Sequence, residues 1–295
     1  MADQDSDGVI TWVQLQAEVA ATLSSPQEAR WIIERASGYD ASERLAHRDD
    51  PVSIRSLAFV DKMVARRRAG APIQYALGLW AFRTLELLVD ERVLIPRPET
   101  EFVVEVALGI AHEIAGTKHA PITALDLGTG SGAIALSLAD EMPFGAIDVW
   151  ATDVSADALE VATANLAGLG RPATRVRMVQ SDWFDALPVE LKGGIDLVVA
   201  NPPYIANGDP DVDESVEHYE PHVALYSGPT GLECIERILR DALDQQWLAP
   251  RGVIVMEIGA GQGDAATRSA AALGYSGIEI RRDLADRERV LIARR

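Results

Sequence analysis

At 295 residues the chain exceeds one average domain, and its 48% hydrophobic content is ample for a core, so two units are expected. A net charge of −18 excludes the clustered basic footprint of a phosphate-backbone binder, so no direct nucleic-acid contact is expected. The one cysteine, Cys234, excludes an internal disulfide framework and a multi-cysteine zinc site, and no apolar run reaches the roughly 18–20 residues of a spanning helix.

The first residues, Met1-Ala2-Asp3-Gln4-Asp5, are acidic and lack the basic and apolar regions of a signal peptide, so a soluble, cytoplasmic protein is expected, and a monomer. Trp12, Leu15, Val19 and Leu23 then recur at helical spacing. Ser25-Pro26 supplies a cap and a first-turn proline for a helix carrying Ala29, Ile32 and Ile33. The pattern continues over 53–69 through Ile54, Leu57, Phe59, Val60, Met63 and Val64, and ends in Arg66-Arg67-Arg68, where the helix dipole favours cations. Residues 1–76 therefore read as a small helical bundle, and its place beside the following connector suggests docking of a protein substrate.

Residues 77–97 read as a short hairpin and connector. Strands over 79–82 and 85–89 flank Arg83-Thr84, and the two prolines of Ile95-Pro96-Arg97-Pro98 forbid a regular helix. From 98 to 295 the texture alternates. A helix over 99–115 precedes strands near 122–127, 146–152, 175–180, 195–200, 252–258, 277–281 and 290–293, most of them separated by helical segments. An α/β, Rossmann-like, seven-stranded and mostly parallel sheet follows, with ligands at the carboxyl ends of its strands.

The first of these strands runs into Asp126-Leu127-Gly128-Thr129-Gly130-Ser131-Gly132, a glycine-rich turn opening a helix. Such a turn lets a ligand approach the backbone at Gly128, Thr129, Gly130, Ser131 and Gly132, but it also satisfies a nicotinamide dinucleotide pattern, and glycines serve any tight turn. Asp153 ends the next strand, where a carboxylate can accept from both ribose hydroxyls of an adenosine. A helix cap is the competing role for Asp153, and Ser155 serves it better. After the third strand, Asp182 could accept from an adenine amino group and Trp183 could cover the ring, although a tryptophan is equally at home in a core.

The apolar run Ile195 to Ala200 leads directly into Asn201-Pro202-Pro203-Tyr204. A carboxamide nitrogen is a poor nucleophile whose lone pair is delocalised, so an enzyme must orient it. The Asn201 side chain can pair with a planar NH2 group, and the Pro202 carbonyl can take its second N–H because Pro203 has no competing donor. Tyr204 could stack on the flat substrate group and favour developing positive charge. The cofactor loop and this acceptor loop together point to S-adenosyl-L-methionine-dependent methyl transfer to a planar nitrogen. The competing reading is a proline-stiffened turn with no ligand.

Leu94-Ile95-Pro96-Arg97-Pro98-Glu99-Thr100-Glu101, the 126–132 turn, Asp153, Asn201 to Ile205, and Tyr219-Glu220-Pro221-His222-Val223-Ala224-Leu225 with Gly228 and Gly231 resemble the peptide-chain release factor glutamine N5-methyltransferase family. So do Glu257-Ile258-Gly259 with Gln262, and Asp283-Leu284-Ala285 with Arg287. The resemblance implies a class I methyltransferase whose partners are release factors, and whose acceptor is the glutamine of their Gly-Gly-Gln loop. It also implies that Arg97, Glu220, Asn201, Pro202, Pro203 and Tyr204 shape the acceptor pocket. Asp286 departs from the family pattern, which has glycine there, and this puts the local turn in doubt.

The acidic run from Asp209 to Glu220 reads as a solvated loop, and Pro221 breaks helical spacing between His218 and His222, so no metal is expected. Three other readings stay open. A ribosomal-protein glutamine methyltransferase would share the chemistry; an adenine-N6 nucleic-acid methyltransferase would use a similar loop on a flipped base; a scaffold could bind the cofactor without catalysis.

Overall fold

The computed structural model describes residues 9–295, so the acidic stretch Met1 to Asp5 lies outside the described residues. The chain divides into two compact units between Leu79 and Trp80. Residues 80–97 of the connector thus cluster with the second unit.

Among the described residues, the first unit holds five helices: α1 (Trp12–Leu23), α2 (Pro26–Ser37), α3 (Ala41–Ala46), α4 (Ile54–Arg68) and α5 (Ile73–Leu77). Ser25 Oγ accepts from Glu28 N at 3.2 Å, with Pro26 in the first turn of α2, and Gly38 at φ 75° ends it. Ala29, Ile32 and Ile33 are buried, as their spacing predicts. In α4 only Val60 and Met63 are buried, whereas Ile54 and Phe59 face solvent, because helical periodicity locates an apolar stripe without setting its width. Arg67 at the end of α4 pairs with Glu28 at 2.9 Å, a partner beyond the helix dipole. The sequence shows neither α3 nor α5, both short.

The second unit opens with the hairpin β1 (Leu79–Phe82) and β2 (Leu85–Leu88), turned at Arg83 with φ 52°. After the connector, Pro98 occupies the first turn of α6 (Pro98–Ala115). There follow β3 (Ile122–Leu127), α7 (Ala133–Glu141), β4 (Ile147–Asp153), α8 (Ala156–Gly168), β5 (Val176–Gln180) and β6 (Ile195–Ala200). Beyond them lie β7 (Ile205–Ala206), α9 (Glu214–Tyr219), α10 (His222–Leu225), β8 (Tyr226–Gly228), α11 (Glu233–Asp244), β9 (Leu248–Glu257), α12 (Gly263–Leu273), β10 (Ser276–Arg282) and β11 (Glu288–Arg294).

Seven strands form one sheet in the order β10-β11-β9-β6-β3-β4-β5, parallel throughout except for β11, which is antiparallel to both its neighbours. Strand order reverses between β3 and β6, and ligands of open α/β sheets bind at that switch point. Both faces are covered. Leu197 and Val199 pack with α6 and α7 residues such as Val103 and Leu136, while Val198 and Ala200 pack with Ile235 and Leu239 of α11. A strand buried on both faces reads as an uninterrupted apolar run, which is why 195–200 was legible as one.

Two features escaped the sequence. The acidic loop contains the short helix α9 and is followed directly by α10, and β7 pairs in parallel with β8, tying the segment after Pro203 to the segment after α10. Among the described residues, no helix is long and apolar enough to cross a membrane.

Candidate active site

The turn after β3 holds Gly128, Gly130 and Gly132 at φ 72°, 54° and 88°, backbone conformations that side-chain-bearing residues rarely adopt. Gly128 N and Thr129 N both donate to Thr152 O, at 2.9 and 2.8 Å, which locks the turn to the end of β4. Asp153 completes the arrangement by accepting from Gly130 N through Oδ2 and from Ser155 N through Oδ1, both at 2.9 Å. Burial pushes its carboxyl above the usual range. Ser155 Oγ meanwhile caps α8 through Ala158 N at 3.1 Å, so Asp153 is not needed as the cap.

Beneath the turn, Asp126 is fully buried. Its Oδ2 accepts from Thr129 Oγ1 at 2.6 Å and from Ala135 N at 3.1 Å, whereas Oδ1 has no hydrogen-bond partner. Desolvation raises its pKa to about 7 against those two bonds.

These strand ends open into a cleft of about 340 Å³, within the roughly 300–1,000 Å³ range of small-molecule sites. Gly128, Thr129, Gly130 and Ser131 line one side, with Asp153, Asp182 and Trp183 beyond them. Asn201 and Pro203 enter from β6, Thr100 from α6, and Arg97 from the connector. Trp183 holds φ 52°, a conformation a bulky residue adopts at a cost, and a β-carbon on Gly128 would stand 3.6 Å from its ring.

Asn201 Nδ2 donates to Thr100 Oγ1 at 3.1 Å, and Thr100 Oγ1 donates in turn to Glu257 Oε2 at 2.7 Å. Tyr204 donates its hydroxyl to Glu257 Oε1 at 3.3 Å. Glu257, at the end of β9, is 1% exposed. Burial raises its pKa to about 7 and, aided by the negative Glu257, holds the Tyr204 phenol well above its usual value. Gln262 secures the loop from the other side, donating to Tyr204 O at 3.0 Å and accepting from Gly259 N at 2.8 Å. A β-carbon on Gly231 would meet Tyr204 O at 2.5 Å, so only glycine permits this approach.

The profile described as "Methyltransferase small domain" matches residues 116–218, and "PrmC N-terminal domain" matches residues 9–78. The release factor glutamine methyltransferase of Bordetella pertussis is 42% identical over 89% of this chain and 92% of its own length. The chain belongs to the release factor glutamine methyltransferase family. The family member of Escherichia coli is 34% identical over 94% of this chain and 95% of its own. Among solved structures, the hMettl16 catalytic domain bound to MAT2A 3′UTR hairpin 6 superposes with a TM-score of 0.54 at 15% identity, covering 89% of this chain and 91% of that one, a likeness of fold.

Family membership implies dependence on S-adenosylmethionine, and the cleft fits it. A β-carbon on Gly130 would meet nothing within 4 Å, so the backbone there is open to a ligand. Each Asp153 oxygen accepts one backbone N–H and keeps a lone pair for a hydroxyl. Asp182 lines the cleft, and both its oxygens lie 3.0 Å from Arg237 Nη1, so any adenine contact would be shared with that guanidinium.

Four expected site residues stand outside the cleft lining. Gly132 opens α7, and a β-carbon there would crowd Leu136 Cδ1 at 3.1 Å, so it serves the turn and its packing. Pro202 is buried. The Tyr204 hydroxyl reaches back to Glu257, and its half-buried side chain packs against the core cluster that includes Ile254 and Met256 of β9. Glu220, 4% exposed, accepts from Ile95 N at 3.1 Å and pairs with Arg97, so it holds the connector and leaves the cleft to Arg97.

Sequence reading gave no role to Thr100 or Glu257. Their signal was a polar residue inside a buried helical stripe and a carboxylate closing an apolar strand, the pattern already recognised at Asp153.

Proposed function

We propose that the protein transfers the methyl group of S-adenosylmethionine to the side-chain amide nitrogen of the glutamine in the Gly-Gly-Gln loop of peptide-chain release factors. The observation that carries this reading is the Asn201 carboxamide, held by its NH2 group to Thr100 inside the cofactor cleft, in a chain whose relatives bear that activity along nearly their whole length.

Bound in the cleft, the cofactor supplies an electrophilic methyl group on a sulfonium. Gly128 to Ser131 accommodate its backbone-facing side, Asp153 accepts from the ribose hydroxyls, and Asp182 and Trp183 receive the adenine. With its NH2 group engaged by Thr100, Asn201 offers Oδ1 to one N–H of the acceptor amide, and the Pro202 carbonyl takes the other. These two oxygens orient the nitrogen and stabilise the positive charge that develops on it. Catalysis in this scheme rests on alignment, with proton removal secondary. Tyr204 acts indirectly, through Glu257, and Glu220 acts by placing Arg97. The helical unit docks the release factor.

The protein is proposed to work as a cytoplasmic monomer and without contacting nucleic acid, the last of these supported by its −18 charge. Incubation with labelled S-adenosylmethionine and, separately, a release factor, a ribosomal protein and DNA, followed by mass spectrometry of the modified atom, tests the assignment. Label on the Gly-Gly-Gln glutamine N5 is the expected result; label on another acceptor, or on none, overturns it.

A further inference from the structure

We propose that Thr100 is a positioning residue for methyl transfer: its hydroxyl, committed to Glu257, dictates which end of the Asn201 carboxamide faces the cleft. The proposal deepens the glutamine-methylation reading and rests on it for its consequence in turnover, but the relay itself is a property of the free protein.

A carboxamide has two ends of similar shape and opposite hydrogen-bonding sense, and only the oxygen end can accept from a substrate N–H. Something must choose between them. Thr100 Oγ1 carries one proton and lies 2.7 Å from Glu257 Oε2, a carboxylate oxygen that, when ionised, can only accept. The Thr100 proton is therefore spent on Glu257, which leaves Thr100 only acceptor capacity toward Asn201 at 3.1 Å. The NH2 end of Asn201 must turn to Thr100 and the oxygen end away from it. Tyr204 donates to the other oxygen of Glu257, so both carboxylate oxygens are engaged by donors and the direction of the chain is imposed from its buried end.

Protonation of Glu257 undoes this logic. A proton on Oε2 would donate to Thr100, freeing the Thr100 hydrogen to point at Asn201 and favouring the inverted carboxamide. The charged groups around Glu257 are Arg289 on β11, which favours its ionised form, and Glu99 on α6, which opposes it; Thr100 and Tyr204 supply the hydrogen bonds that also favour the charge. Burial outweighs them, and the carboxyl titrates near 7. Turnover at saturating cofactor should accordingly fall as pH drops through that value.

The test compares Thr100→Val, which keeps shape and removes the hydroxyl, with Thr100→Ser, which restores it. Thermal melting and cofactor titration report whether each variant is folded and competent. For Thr100→Val we expect kcat on an intact release factor to fall on the order of 10- to 100-fold, the scale of a misplaced reacting group, with cofactor Kd within about twofold. Thr100→Ser should recover wild-type kcat within about threefold. Glu257→Gln should lose the acidic fall in kcat.

Wild-type kcat in Thr100→Val, parallel loss of cofactor affinity, or equal loss in Thr100→Ser would each overturn the proposal. A second readout needs no substrate. The Asn201 side-chain NH2 resonances, identified by their disappearance in Asn201→Asp, should shift and exchange faster in Thr100→Val and stay near their wild-type values in Thr100→Ser. Unchanged resonances in both variants would sink the relay. A wild-type protein that methylates no glutamine, yet shows these shifts, would retire the functional reading and leave the relay standing.

Discussion

Arg97 is ion-paired through Nη2 to the carboxylate of Glu220, whose side chain is 1% exposed. The same carboxylate accepts from the main chain at Ile95, so one buried group ties the proline-rich connector to the segment after α9. Arg97 lines the cleft and Glu220 does not. The pair therefore divides the work, with Glu220 holding the connector and Arg97 facing the cleft.

Glu220→Ala should lower stability by about 1–3 kcal/mol, because it leaves the Ile95 N–H and the Arg97 guanidinium without their partner. It should also raise cofactor Kd, since connector residues wall the cleft. Glu220→Gln, which keeps an acceptor for Ile95, should lose less on both measures. Denaturant titration and calorimetry provide the check; equal stability of Glu220→Ala and wild type would show that the pair holds nothing.

Asp153→Ala should weaken cofactor binding by roughly 1–3 kcal/mol, the scale of a lost hydrogen bond to a charged group. Part of that loss would come from releasing Gly130 N. Asp153→Asn keeps an acceptor and should fall between the two in a calorimetric series. Unchanged affinity in Asp153→Ala would remove this residue from the site.

Asn201→Ala should abolish methyl transfer while leaving cofactor affinity within a few-fold, because its carboxamide is assigned to the acceptor and not to the cofactor. Single-turnover assays beside cofactor titration separate the two. Loss of both in equal measure would mean that the loop is structural.

Stability should decline as pH rises from about 4 to about 7. Asp126 titrates at 3.8 when exposed and near 7 when buried, so across that window the folded chain keeps a proton that the unfolded chain has released. Glu257, moved from 4.5 to about 7, acts in the same direction. Asp126→Asn should flatten the profile by about 1–3 kcal/mol between the ends of the window. Urea midpoints measured across it would show a slope unaffected by the substitution if the carboxyl does not titrate there.

Asp286 sits at φ 59°, in the left-handed region, inside a turn closed by Asp286 N donating to Asp283 O at 2.9 Å. A glycine, expected here from the family resemblance, would suit that angle, and aspartate is one of the few side chains that enters it readily. Asp286→Gly should be neutral or slightly stabilising, whereas Asp286→Val should cost about 1–2 kcal/mol. Thermal melts ranking valine with the wild type would mean that the turn relaxes without penalty.

Much of the second unit was readable because its strands are buried on both faces and so appear as unbroken apolar runs. The β3 and β6 boundaries agree with their sequence ranges for this reason. β9 begins earlier than expected, at Leu248, since its first residues include a proline and an arginine that mask the pattern. The short α9, α10, β7 and β8 carry too few residues for any period to emerge; β7 and β8 form by pairing with each other, and α9 is capped by Asp213.

From its residues alone, the chain declared alternating helices and strands, a glycine turn requiring left-handed backbone, and polar groups at strand ends, because local sterics and burial periodicity act over a few neighbouring positions. Sheet order decided the rest. Thr100 lies 101 positions from Asn201 and 157 from Glu257, yet the three form one hydrogen-bonded line. Pairing of β6 with β9 and packing of α6 against both strands bring their segments together, and no spacing along the chain encodes which donor finds which acceptor once they meet.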